Sequence, residues 1–255
     1  MKVSFQKKRG DHTLGIDFFW KFAIESKPRI PVLEHFIPEL FFDFFYIKAG
    51  RVHWVDPATG KKTALRQQTL KTIHHRPLHF QFSAPLVVFG ARLSLAFAES
   101  FWEGAKANTL LNQTWVKGDA KSLEDFARQV SATVRTKRHQ KFPRPMLSSG
   151  VQEANWLVHY SPRHKRRMYE SIFGLSRKEL LNIRNMQAFL EQTCDFASGS
   201  PRIIQHVNPE VFYDQPHLNR LFKKMTGVSP VEYFETNSIL QDNLISASYN
   251  ENPNR

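Results

Sequence analysis

One cysteine, Cys194, is all that this 255-residue chain contains, so it can hold no internal disulfide framework and cannot assemble a thiolate zinc site. No apolar run approaches the ~18 residues that a membrane-spanning helix needs. Met1-Lys2-Val3 opens no signal-peptide pattern, and a soluble, cytoplasmic protein is the expectation. A glycine-rich phosphate loop, a serine-centred nucleophile elbow and a His-Glu-x-x-His stretch are missing too. No catalytic residue, cofactor or metal is therefore assigned, and an enzyme is not expected. Acidic residues are scarce: 23 Asp and Glu stand against 36 Lys and Arg, a net charge of +13. Between Arg135 and Arg184 lie 12 Lys and Arg but only Glu153, Glu170 and Glu179, a net of +9. A fifth of the length thus carries most of the excess, the electrostatic footprint of a polyanionic partner.

The most informative run is Phe212-Tyr213-Asp214-Gln215-Pro216-His217-Leu218-Asn219-Arg220-Leu221-Phe222-Lys223-Lys224-Met225-Thr226-Gly227-Val228-Ser229-Pro230. Leu218, Leu221, Phe222 and Met225 recur at offsets of three and four, which predicts a helix with one inward face. Its other face presents Gln215, His217, Asn219, Arg220, Lys223 and Lys224. Gly227 stops the helix, and Ser229 with Pro230 caps and starts the next. A short helix with an amide near its start and cations along its face has the chemistry that reads a DNA major groove.

A similar unit lies about fifty residues upstream. Ser161 and Pro162 open a basic helix through Arg163, His164, Lys165, Arg166 and Arg167, and Gly174-Leu175-Ser176 closes it. Arg167 matches Arg220, Tyr169 matches Phe222, and Gly174-Leu175-Ser176 matches Gly227-Val228-Ser229, an internal repeat. Between the copies, Leu180, Leu181, Ile183, Met186, Phe189 and Leu190 predict a joining helix.

These residues resemble the paired helix-turn-helix units of the AraC/XylS family of transcription regulators. Asp214-Gln215, His217, Arg220, Phe222-Lys223, Gly227, Ser229-Pro230 and Tyr233 carry the likeness in the second unit. The resemblance implies double-stranded DNA as partner, with RNA polymerase recruited or blocked. It places Arg163, Arg166 and Arg167 of the first helix toward bases, and in the second Pro216, His217 and Arg220, with Gln215 and Asn219 close by. Arginine can bond guanine bidentately, worth ~1–3 kcal/mol of discrimination. Ser161, Lys178, Lys223 and Lys224 are expected on phosphates, which position without reading sequence; Arg184 fits either a contact or an ordinary surface charge. The joining helix would set the two recognition helices about one turn, ~34 Å, apart.

The chain departs from the family pattern in places. Lys165 stands where a buried Leu is usual, so its stem would cover the core while the ammonium snorkels out. Arg177 stands where Pro often follows the Ser. Pro209 and Val211 replace a helix end and a Gly; Pro209 lacks an amide hydrogen, so the helix through Ile203 and Ile204 must end early. The second module would then dock at a shifted angle or bind mainly through phosphates. Having only Cys194, the chain also does not match the DNA-repair relatives that add a reactive-cysteine domain.

Before about residue 105 the grain changes to phenylalanine-rich, strand-like runs: Leu40 to Ile47, Val52 to Val55, Leu78 to Phe82 and Leu86 to Leu93. Asp56-Pro57-Ala58-Thr59-Gly60 and Ala49-Gly50 read as turns between them. The expected fold is α+β: a β-rich, cupin-like N-terminal domain followed by an all-α DNA-binding domain with two helix-turn-helix modules. Helices are predicted over Ala91 to Trp102 and Asp119 to Thr136; the second supplies either a homodimer contact or an ordinary core face. The expected divisions are 1–117 (sensor or dimerisation), 118–147 (helical segment and linker ending in Pro143-Arg144-Pro145), 148–236 (DNA binding) and 237–255 (a polar tail, partly disordered).

His53, His74, His75 and His79 do not make a cupin metal pattern, since the His-x-His-then-Glu spacing is absent and neighbours on a strand face opposite ways. Phe41, Phe42, Phe44 and Phe45 should alternate, two in and two out, as lining for a small-molecule effector or as plain core; His35, Glu39 and Asp43 lie near enough to polarise such a pocket. Two rivals differ in class. A cupin-like enzyme with a DNA-binding appendage predicts bound metal, and an architectural DNA binder predicts little preference between operator and random DNA.

Overall fold

The computed structural model describes residues 2–25, 31–102, 106–137, 139, 141–193, 216–235 and 238–249. Its first half is built on one antiparallel sheet: β1 (Val3–Arg9), β2 (Ile16–Ile24), β3 (Val32–Phe36), β4 (Phe42–Val55), β5 (Lys62–Ala64), β6 (Gln68–Lys71), β7 (Leu78–Leu93) and β8 (Leu110–Asn112). The order is β1-β2-β7-β4-β6-β8, with β3 also on β7 and β5 on β4. This large antiparallel sheet is consistent with the cupin-like expectation.

One of the expected turns, Ala49-Gly50, is not a turn. The runs on either side of Ala49-Gly50 belong to the single strand β4, whose register against β7 shifts there, with Gly50 at φ 85°. The runs before and after Ser83-Ala84-Pro85 are likewise one strand, β7. A bulge absorbs a bend without ending the pairing, and only Gly adopts that φ at no steric cost. The strands serve two partners as a result: Leu86–Leu93 pairs with β2, and Val32–Phe36 pairs with Leu78–Phe82.

Both faces of the sheet are covered. On one, Phe42, Phe44, Phe89 and Leu93 pack under α1 (Leu95–Phe101) and α2 (Leu123–Thr136), with Phe126 stacked on Phe44 at 6.0 Å. On the other, Trp20, Phe22, Phe36, Phe45, Phe80 and Phe82 form a second core. Phe41, Phe42, Phe44 and Phe45 are therefore all buried, and over Phe42–Ile47 neither side of the strand points to solvent. Gly90 lies in register between Trp20 and Phe45, and a Cβ there would sit 2.0 Å from the Trp20 ring. Gly90→Ala is expected to cost about 1–3 kcal/mol by overpacking, read as a lower denaturant midpoint.

The helices begin later than the spacing predicts. β7 runs through Leu93, so α1 starts only at Leu95. α2 starts at Leu123, where the Ser122 hydroxyl accepts from Asp125 N at 3.2 Å. Its apolar face (Leu123, Phe126, Ala127, Val130, Val134) is buried within the chain, as an ordinary core helix requires.

The segment expected to be a polar tail is corrected over Ile239–Tyr249, which form a helix buried against the sheet. Leu240 and Leu244, four apart, seat the helix in the second core, and the most polar stretch, 250–255, lies outside the described residues. Among the described residues no helix is long and apolar enough to cross a membrane.

Candidate nucleic-acid interface

The helical half carries the repeat in its turns. α3 (Pro162–Phe173) opens with the Ser161 hydroxyl accepting from His164 N at 3.3 Å and with Pro162 in its first turn. Gly174 closes it at φ 68°, its amide donating to Glu170 O at 3.0 Å. α4 (Arg177–Thr193) then starts with a reciprocal cap: Glu179 N donates to the Ser176 hydroxyl at 3.3 Å, and Ser176 N donates to the Glu179 carboxylate at 2.7 Å.

The second copy repeats the glycine stop and the reciprocal cap that follows it. α5 (Pro216–Thr226) ends at Gly227, φ 82°, whose amide donates to Lys223 O at 2.9 Å. α6 (Pro230–Glu235) has Glu232 N on the Ser229 hydroxyl at 3.2 Å and Ser229 N on the Glu232 carboxylate at 2.6 Å. Glu179 and Glu232 were missed in the sequence reading, although Ser-x-x-Glu is legible in both copies.

On α3, Met168, Tyr169, Ile172 and Phe173 are buried while Arg163, Arg166 and Arg167 are exposed on the face that also holds Glu170. Arg166 Nε lies 2.8 Å from Glu170 Oε1, an i,i+4 pair at the helix surface. Lys165 is half-buried, its ammonium 2.6 Å from Glu153. Glu153, on the short hairpin of β9 (Leu147–Ser149) and β10 (Gln152–Glu153), also accepts from the Tyr169 hydroxyl at 3.5 Å and lies 3.9 Å from Arg177. One carboxylate thus ties the hairpin to α3 and α4 and accounts for a lysine at an otherwise apolar position. Nothing local in the sequence marks that role.

On α5, Phe222 and Met225 are buried, with Phe222 against Tyr233 at 5.5 Å and Phe189 at 6.1 Å. Pro216, Arg220, Lys223 and Lys224 are exposed and Asn219 is half-buried. Gln215, the side chains of His217, Leu218 and Leu221, Cys194, and Ile203 through Val211 lie outside the described residues. On α4, Leu180, Ile183, Met186, Phe189 and Leu190 are buried, Lys178 is exposed in the first turn, and Arg184 lines a cleft. Ser161 is exposed but its hydroxyl already caps α3.

That cleft, about 670 Å³, lies between the two halves of the chain. Phe41 of the loop before β4, Leu95 and Glu99 of α1, and Arg177, Leu181 and Arg184 of α4 line it. Burial pushes the Glu99 carboxyl up to about 7, against the pull of Met146 N and Leu147 N, which donate to it at 2.6 and 3.2 Å. Glu39 and Asp43 do not polarise the space. Arg92 holds both, at 2.5 and 3.3 Å, while its guanidinium sits 4.1 Å over the Phe41 ring; Lys71 lies 2.8 Å from Asp43.

His74 Nδ1 lies 2.6 Å from Thr72 O, and the His35 and His79 rings meet at 4.3 Å. Among the described residues, no three His, Cys, Asp or Glu side chains gather as a metal-binding group. Burial lowers His35 to about 4 and His74 to about 3, and raises Glu34 to about 8. The histidines contribute stability that is full above about pH 6.5 and is lost as pH falls through their folded values. Glu34 and Glu99 act oppositely: their contribution is full below about pH 4.5 and is lost as pH rises through 7 to 8. Melting temperature is therefore expected to fall between about pH 6.5 and 8.5, where the carboxyls alone act. Glu34→Gln should flatten that limb in a thermal melt series, and an unchanged slope would refute the assignment.

No protein-family model and no curated protein sequence matches this chain. Among solved structures, ToxT from Vibrio cholerae is similar at 14% identity, covering 91% of this chain and 98% of that one, with a TM-score of 0.41. A ToxT structure from strain SCE256 with an unsaturated fatty acid bound is similar at 12% identity, over 83% of this chain and 97% of that one, TM-score 0.38. The Cupin_2 domain of an XRE family transcriptional regulator from Enterobacter cloacae is similar at 14% identity, over 37% of this chain and 97% of that one, TM-score 0.28.

Proposed function

We propose that this protein is a sequence-specific regulator of transcription, of AraC/XylS type, that binds double-stranded DNA through two helix-turn-helix modules and has no catalytic activity. The duplicated unit carries this reading: twice, an exposed basic helix ends in a left-handed glycine and is followed by a helix under a Ser-x-x-Glu cap. In α3, Arg163, Arg166 and Arg167 read base edges; in α5, Pro216, His217, Asn219 and Arg220 do so, with Gln215 just before them. Lys178, Lys223 and Lys224 hold phosphates, and Ser161 offers its hydroxyl at the start of α3.

The protein works in the cytoplasm, as a homodimer or alone, and conveys its occupancy to RNA polymerase. A small-molecule effector is seated in the cleft that both halves line, where its binding alters how the modules are presented. A ligand shifts such an equilibrium only by its differential contacts, and a cleft with walls from both halves supplies them.

Selection of genomic fragments by the purified protein at ~150 mM salt, followed by footprinting, tests the reading. A regulator should prefer its operator to random DNA by ~10³-fold or more. Binding that is indifferent to sequence and collapses as salt rises would leave only phosphate attraction.

A further inference from the structure

β3 gives three consecutive residues to the C-terminal helix α7 (Ile239–Tyr249) and to the second module. The Glu34 carboxylate is buried and accepts from Leu240 N at 3.0 Å and Gln241 N at 3.2 Å, closing the start of α7. His35 N donates to the Ser238 hydroxyl at 3.0 Å. The His35 ring lies edge-on to Tyr233 of α6 at 6.2 Å. Phe36 joins Phe45, Phe80 and Phe82 around Leu240. Leu244 belongs to the same core, and Lys7 of β1 donates to Ala247 O near the far end of α7.

The helix is thus held at both ends by side chains that engage its free backbone groups, Glu34 at the first amides and Lys7 at Ala247 O, and along its length by apolar contact. Only three residues separate Glu235, the last of α6, from Ile239, the first of α7. Fixing α7 therefore confines α6, and α5 packs on α6 through Phe222 and Tyr233. With α7 seated, Pro216, Arg220, Lys223 and Lys224 still face solvent, so the docking does not mask the basic face.

We propose that α7 is a strap that holds the second DNA-binding module on the large sheet, with Glu34, Leu240 and Leu244 as positioning residues for α5. It presents the module ready to bind, since holding a recognition element in its bound position removes an ordering cost from association. The consequence for DNA rests on the regulator reading; the mechanical link does not.

Full-length Leu240→Ser/Leu244→Ser and the milder Glu34→Ala, which leaves the apolar groove intact, test it by two readouts. In free protein, amide exchange over Pro216–Glu235 should rise at least tenfold while α3 is unchanged. On the site selected by the wild type, affinity should fall at least tenfold and the footprint should shrink to the first module. Unchanged exchange in both variants would overturn the strap, and so would tighter DNA binding, which would make α7 an inhibitor. Faster exchange in a protein whose wild type selects no DNA site supports the strap and removes the regulator reading instead.

Discussion

Arg163→Ala combined with Arg167→Ala is expected to weaken binding to the selected operator by at least about 10²-fold, with much less effect on random DNA. Each bidentate arginine contact is worth ~1–3 kcal/mol of discrimination, and the two side chains stand one turn apart on the exposed face of α3. Neither contributes to the core beneath, where Met168, Tyr169, Ile172 and Phe173 do the packing, so thermal stability should move by no more than about 0.5 kcal/mol. Lys223→Ala provides the contrast. A phosphate contact should weaken all sequences alike and reduce the salt slope by about one. Arg166 differs from its neighbours because Glu170 already holds it. Glu170→Ala should raise affinity for any DNA by freeing the guanidinium and removing a charge that phosphates repel. Gel-shift titrations at three salt concentrations separate these outcomes. If the double variant keeps operator preference, α3 is not the reading helix.

Asp43→Ala is expected to cost about 3–5 kcal/mol of folding stability, the usual result of removing one partner from a buried ionic group. Asp43 is fully buried and lies 2.8 Å from the Lys71 ammonium and 3.3 Å from Arg92, itself fully buried. Without it, Glu39 alone faces two cations in a site closed to water. Against a total stability of about 5–15 kcal/mol, the loss brings the chain near its limit. Replacing all four members by apolar residues of similar volume should be nearly neutral, since the desolvation of the charges then disappears with them. Glu25→Ala is the surface control: its contact with Lys2, at 2.8 Å, is exposed on both sides and worth little. Urea denaturation gives all three values, and a cost under about 1 kcal/mol for Asp43→Ala would mean that water reaches the group.

The interface was more legible than the rest because its signals are short. Ser161 and Ser176 cap residues three positions on, and Gly174 and Gly227 end the helices before them. The β-rich half was read only as to type. Strand-like runs were visible, but not that Leu78–Phe82 and Leu86–Leu93 are one strand: a turn and a bulge use the same residues and differ in whether pairing continues across them. The roles of Glu153, Glu39 and Asp43 were also out of reach, because a carboxylate in a sequence does not announce which cation the fold brings to it.

What the sequence by itself determined is the duplicated unit: its glycine stops, serine caps, basic faces and apolar offsets all act over four residues or fewer, where backbone geometry leaves few alternatives. What only the tertiary structure decided is where those units sit. Glu34 meets Leu240 and His35 meets Ser238 across more than 200 residues. Such contacts depend on the register of β3 in its sheet and on the open side of an aromatic core. They turned a segment that reads as a polar tail into a docked helix, because burying Leu240 and Leu244 outweighs the polarity of their neighbours only once that groove exists.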